Sequence, residues 1–231
     1  MCKQKGRTFC SELGADVEEW SRNAPLPKPL WIEETFHTFS IALQLILEEK
    51  KREAQALLKN SRDLEMREWF NIHAQNSGGW RKKAFELPAP EPILPLDQVK
   101  IFTKFERTLF IRDNFQCCYC GTSVLPKKVF IEANAHIGDD AIPLGKTNAT
   151  RSGFYLMFVA TLDHVLPWSL GGRTDESNLV TCCWSCNYGK ANFTIDQLGI
   201  RNPLFRLPRA ETTLKARKFS DLGFRGGQSN T

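Results

Sequence analysis

Two short cysteine turns, Cys117-x-x-Cys120 and Cys183-x-x-Cys186, stand 62 residues apart in this chain of 231. A CxxC turn lets two thiolates reach one ion, and two such turns complete a tetrahedral four-sulfur site. The chain between them then becomes a closed loop whose ends must pack side by side, which rules out most ways of folding it. Six of the eight cysteines lie in these two clusters, Cys2 and Cys10 being the others. The doublets Cys117-Cys118 and Cys182-Cys183 raise a question of register, but only 117 with 120 and 183 with 186 give a two-residue spacing, so Cys118 and Cys182 are read as bystanders. Buried free thiols or a redox pair are the alternative. The N-terminus is basic with no apolar stretch of a secretory signal behind it, which predicts a cytoplasmic, reducing setting where clustered cysteines serve metal rather than disulfides. Four sulfurs fill the tetrahedron, so a zinc ion held there would be structural and take no part in chemistry.

The rest of the chain divides by composition. Residues 1–30 are polar and end in the stiff spacer PLPKPL. Residues 31–86 read as a helical accessory region. Ile32, Phe36, Phe39, Leu43 and Ile46 step by four and three onto one face, and Ala54 and Leu57 prolong it, which predicts a helix from Trp31 to about Lys59. A shorter helix is expected from Arg62 to Gln75, stopped by Ser77-Gly78-Gly79. Residues 87–96 hold four prolines and read as a linker. A further helix is expected from Asp97, its cap, to Arg112, with Val99, Phe102, Phe105, Leu109 and Phe110 on the buried side.

Beyond the first cysteine turn, Gly121 to Leu162 is a long excursion with turn signals at Gly138, Gly145 and Gly153. Its last part, Phe154 to Val159, is an apolar run of strand length that leads into Asp163-His164. A second strand is expected at Asn178–Thr181 and a helix from Cys183 to Lys190. Thr194 and Gln197 fit a capping box for a last short helix before Asn202-Pro203. Residues 204–231 form a basic tail. From Arg201 onward, Arg201, Arg206, Arg209, Lys215, Arg217, Lys218 and Arg225 face two acids, Glu211 and Asp221, which suits either a polyanionic partner or a solvated tail. The longest apolar stretch, Phe39 to Leu47, is interrupted by Ser40 and Gln44 and falls far short of the roughly 20 residues of a membrane span, so no membrane partner is expected.

Between the two turns runs LDHVLPWSLGGRTDESNLV, followed by TCCWSCNYGK. Together with Arg112-Asp113 and Tyr119-Cys120-Gly121, and with the spacing His164-x13-Asn178-x8-Asn187, this stretch resembles the HNH endonuclease family, the ββα-metal nucleases, in the version with a four-cysteine zinc site. The resemblance covers roughly residues 97–203 and does not reach the first 90. It implies an α+β fold: a ββα-metal core stapled by the zinc site and preceded by the N-terminal helical region. It also implies metal-dependent hydrolysis of phosphodiester bonds in DNA. By resemblance, His164 is the general base that takes a proton from the attacking water, a task suited to an imidazole of pKa near ~6.5. Asp163 and Asn187 hold one hard divalent ion, Mg²⁺ or Mn²⁺, which stabilises the departing 3′ oxygen. Asn178 binds backbone across the loop and orients His164.

Asn187 stands where many relatives have a third histidine, and its carbonyl oxygen favours Mg²⁺ over Zn²⁺ at this site. Arg173 and Lys190 are candidate phosphate contacts. His136, Asp139 and Asp140, in the excursion, either extend the site or belong to a solvated loop. The settings the resemblance suggests include restriction or bacterial anti-phage defence. Two other readings stand beside it. A non-catalytic zinc-stabilised nucleic-acid-binding module would need the cysteines but not Asp163, His164 or Asn187. A latent nuclease would await a protein partner docking on the N-terminal helices through the stripe from Ile32 to Ile46.

Overall fold

The computed structural model describes residues 16, 19–74, 81, 85–93 and 103–206. The Asp97 cap, the Ser77-Gly78-Gly79 stop and the tail beyond Arg206 lie outside them. The chain opens with helix α1, Ile32–Leu47, whose predicted stripe Ile32, Phe36, Phe39, Leu43 and Ile46 is buried throughout. The expected continuous helix to Lys59 is instead two. The chain turns at Glu48–Lys50 and returns as α2, Lys51–Lys59. Lys50 N donates to Leu45 O over 2.9 Å and Glu49 N to Ile46 O over 3.1 Å, with Glu49 at φ 58°. This is a Schellman ending with glutamate at the position glycine usually takes. No breaker marks it, and tertiary packing decides it. A straight helix of that length would extend about 43 Å, whereas folding back buries Ala54 and Leu58. Helix α3, Asp63–His73, follows within the span the sequence predicts.

Helix α4, Thr103–Arg112, ends the same way: Phe115 N reaches Phe110 O over 2.8 Å, with Asn114 and Phe115 at φ 60° and 52°. The excursion that follows carries a helix the sequence did not announce, α5, Lys127–Ile137, which buries Val129, Phe130, Ala133 and Ile137. It then reaches Gly153–Phe158, read from sequence as a strand but formed as helix α6. All six α6 residues are buried, so no polar position marks a period, and an apolar run of that length is ambiguous between the two. Ser152 decides for helix by accepting from Tyr155 N, while Asp63 Oδ1 accepts from Gly153 N over 2.6 Å.

Strand β1, Ala160–His164, pairs antiparallel with β2, Leu179–Cys183, in the register Ala160 with Cys183 through His164 with Leu179. Helix α7, Trp184–Lys190, runs directly off β2, and β1, β2 and α7 make the ββα unit. Arg112 braces it to α4. Its guanidinium holds Asp113 through both oxygens at 2.7 and 2.9 Å and reaches Leu179 O at 2.8 Å, while Asp113 Oδ2 accepts from Thr181 N at 2.8 Å. Thr194 and Gln197 form the expected reciprocal capping contacts, at 3.0 and 3.2 Å, around a turn rather than a regular helix.

One apolar core runs from α1 to α7. Phe39 lies at its centre, with ring centroids 5.2 Å from Phe130 and 4.9 Å from Phe154. The stripe proposed as a partner's docking face is therefore spent inside the chain, against α5 and α6. The polar N-terminal segment is also drawn in. Leu26 is buried against α7, where a Cβ on Gly189 would come within 2.2 Å of it. The buried Arg81 donates to Ser21, Pro25 and Leu198 carbonyls at 2.7, 3.1 and 3.2 Å, and burial lowers its pKa to about 10. No helix among the described residues is long and apolar enough to cross a membrane.

Phe39→Ala should lower the free energy of unfolding by roughly 3–5 kcal/mol, read as a fall in the urea midpoint at unchanged slope. A loss below about 1 kcal/mol would mean that the N-terminal helices are not bound into the core.

Candidate active site

The end of α4 delivers the first cysteine turn. Its backbone is closed by Cys117 N to Thr122 O at 2.9 Å and by Gly121 N to Cys117 O at 2.8 Å, with Gly121 at φ 74°. Cys118 N then donates to Thr181 O at 2.8 Å, which lays the turn along the outer edge of β2. The second turn straddles the junction of β2 and α7, where Cys183 caps the helix and its sulfur accepts from Cys186 N at 3.4 Å. Cys117 Sγ likewise accepts from Cys120 N at 3.5 Å.

The four sulfurs of Cys117, Cys120, Cys183 and Cys186 lie within 4.8 Å of one another and can hold one ion. Zinc–sulfur bonds of about 2.3 Å imply tetrahedral edges of about 3.8 Å, and Cys120 Sγ lies 3.8 Å from Cys183 Sγ. Cys118 and Cys182 stay outside the cluster. Burial pushes both thiols well above their ordinary range, and Cys182 turns to the Thr161 hydroxyl at 3.1 Å.

The ββα unit carries the other predicted residues. Asp163 and His164 close β1, both buried. The His164 ring contacts the Thr174 hydroxyl through Nε2 at 2.9 Å. Asn178 clamps the loop between the strands: its Oδ1 accepts from Leu166 N at 2.8 Å, and its Nδ2 donates to Leu166 O and Arg173 O, both at 3.0 Å. Gly172 allows that loop to close, since a Cβ there would lie 1.8 Å from Leu166 O. Asn187, on α7, donates from Nδ2 to Thr161 Oγ1 at 3.1 Å and Leu162 O at 3.4 Å. Spending the nitrogen on β1 leaves the amide oxygen as the atom for a ligand.

Lys190 occupies a different place from the one its sequence suggests. It is fully buried, donating to His164 O at 2.7 Å and lying 3.2 Å from Asp163 Oδ2, so its ammonium has no open face for a phosphate. Arg173 is exposed and paired with Asp175 at 2.7 Å. His136 lies beside α1 with Leu43 and Ile46, and Asp139 accepts from Asn134 at 2.6 Å.

Two residues enter the site to which the sequence assigned no role there, Thr174 and Tyr119, the latter known only as a letter of the first cysteine turn. The Tyr119 hydroxyl donates to Asp163 Oδ2 at 2.7 Å. Burial, and the adjacent Asp163 carboxylate, hold this phenol well above its ordinary range, so it remains a donor. Burial also raises the Asp163 carboxyl, against the opposing pull of Lys190 and Tyr119.

Cys183→Ser removes one of the four sulfurs and the cap of α7. Metal analysis of the purified variant should find less than a tenth of the wild-type zinc, with the protein largely insoluble or unfolded by circular dichroism. A folded Cys183→Ser protein with full zinc would dispose of the staple.

No curated protein and no solved structure matches the chain. A family profile does match, over residues 158–202, and that stretch begins at the last residue of α6 and takes in β1, the Asn178 loop, β2, α7 and two of the four clustered cysteines. The profile is that of the HNH endonuclease family, and the match spans the ββα unit of this chain.

Proposed function

We propose that the chain is a divalent-metal-dependent endonuclease that hydrolyses phosphodiester bonds in DNA. The observation that carries the reading is the junction of β1 and α7. Asp163 and His164 end the strand, and Asn187 is bonded to that strand from the helix, so the three residues lie where two short elements meet. Asp163 and Asn187 would hold a hard ion such as Mg²⁺ or Mn²⁺, for which their oxygens are the matching donors. That ion would supply positive charge to the scissile phosphate and the departing 3′ oxygen.

His164 takes the proton as water oxygen bonds to phosphorus and the bond to the 3′ oxygen breaks. The products are a 5′ phosphate and a 3′ hydroxyl, the latter protonated from solvent. The Thr174 hydroxyl contacts Nε2 and so helps fix the plane of the ring. Asn178 keeps the loop shut behind the ring. Arg173, whose exposed pairing with Asp175 is of the kind worth under about 1 kcal/mol, can exchange that partner for a DNA phosphate. The cysteine cluster would carry zinc and take no part in the chemistry. DNA as the substrate rests on the family match and the sequence resemblance, and a setting in restriction or anti-phage defence on the resemblance alone.

Supercoiled plasmid incubated with the protein in Mg²⁺ or Mn²⁺ should be nicked or linearised, and EDTA should stop it. His164→Ala should lower the rate at least 10²-fold with zinc content and circular dichroism unchanged. Wild-type rates in His164→Ala would remove the base from this mechanism. A wild-type protein that cuts under no metal condition would favour the non-catalytic binding reading.

A further inference from the structure

Tyr119 sits inside the first cysteine turn, between Cys118 and Cys120, yet its side chain leaves the sulfurs and crosses to Asp163. The backbone that carries it is held on both sides. Cys118 N is bonded to β2 through Thr181 O, and Arg206 donates to the carbonyls of Cys118 and Tyr119. The ring is fully buried. A phenol fixed in this way is a rigid arm from the staple to the carboxylate.

The last torsion of an aspartate side chain is soft and broad. A carboxylate that must present one oxygen to an ion therefore needs the other held. Tyr119 and Lys190 both take Oδ2, at 2.7 and 3.2 Å, which leaves Oδ1 without a side-chain partner among the described residues. The two anchors are not equivalent. Lys190 brings a positive charge beside the place where a cation would bind, and so opposes it. The neutral Tyr119 hydroxyl fixes the same oxygen with no such opposition. We propose that Tyr119 is a positioning residue that sets the Asp163 carboxylate for the divalent ion, so that the cysteine staple and the catalytic metal site act as one unit. This rests on the reading of Asp163 as a metal ligand.

The test measures metal binding with cleavage blocked. In a His164→Ala background with a short DNA duplex present, Mn²⁺ is titrated and its free fraction followed by electron paramagnetic resonance. The parent, Tyr119→Phe and Asp163→Ala are compared, with zinc measured in each. Tyr119→Phe should keep its zinc and bind Mn²⁺ at least 10-fold more weakly, the usual scale for losing a partner that orients a ligand. In the His164 enzyme the same change should raise the Mg²⁺ needed for half-maximal rate, while kcat at saturating Mg²⁺ stays within about threefold of wild type. If Asp163→Ala loses Mn²⁺ but Tyr119→Phe binds it like the parent, Tyr119 has no positioning role. If Asp163→Ala binds like the parent, or the parent binds no Mn²⁺, the ligand reading fails and the inference with it. A Tyr119→Phe protein without zinc would also overturn it, because the hydroxyl would then serve the staple rather than the carboxylate.

Discussion

Four sulfurs from two turns far apart in the chain meet within 4.8 Å, and the rest of the molecule is arranged around that meeting. It fixes the end of α4 against the start of α7 and leaves the chain between them as a loop closed at one point. Closure entropy grows only with the logarithm of length, about 0.6 kcal/mol for each doubling. A long excursion is therefore tolerated almost as well as a short one, provided it returns. This one does: Leu125 N bonds to Phe158 O and Ala160 N to Leu125 O, each at 2.8 Å, so β1 starts beside the turn the excursion left. On the way it supplies α5 and α6, which receive Phe39. The turn also lies along β2, and with Asp113 it occupies backbone groups that would otherwise be an open sheet edge.

The same packing places charge where stability alone would not. Taking an ammonium and a carboxylate out of water costs several kcal/mol per ion, and an apolar pair of the same volume is often as stable. Lys190 and Asp163 are nevertheless buried together, with Lys190 also bonded to the His164 carbonyl. What the pair contributes is position. Lys190 lies one helical turn beyond Asn187, so one end of α7 is tied to Asp163 and His164 while Asn187 is tied to the strand two residues earlier. Strand and helix cannot slide past each other without breaking these contacts. The side chains that carry the proposed chemistry are thus held by bonds made by their neighbours.

How much of this was legible depends on what kind of signal each residue left. Spacing was enough for the cysteine cluster and for the stripe of α1, because each rests on local periodicity or on ligand geometry. The ββα order came from the resemblance, with the first strand expected at Phe154–Val159, ahead of the Ala160–His164 that forms. Composition misled at Phe154–Phe158, where uniform burial erased the difference between a strand and a helix. Glu49 hid the turn between α1 and α2, since the left-handed position that ends α1 holds glutamate rather than glycine. Lys190 read as a phosphate contact because lysine is usually a surface residue. Its burial depends on a carboxylate 27 positions earlier in sequence, which no local pattern announces. Tyr119 was visible as a letter of the turn but not as a partner of Asp163, for the same reason. Contacts of long sequence separation are where the reading stopped.

The N-terminal helices follow from the size of the ββα unit. The stretch that matches the family is short, and a chain of that length rarely buries enough apolar surface to fold without help from metal or further packing. An ion held by the four cysteines would meet part of that need at the start of α7. Residues well outside the matched stretch meet the rest: Leu26 against Gly189 and Phe70 with its ring centroid 5.6 Å from Tyr188 on α7, and Phe36 5.2 Å from Phe158 at the end of α6. Gly189 sits between the metal-ligand candidate Asn187 and the buried Lys190, and its missing side chain is the space Leu26 occupies. The same short helix is therefore gripped by the staple, by β1 and by the N-terminal segment at once. A change that loosens the distant helices reaches Asn187 through backbone that has no slack.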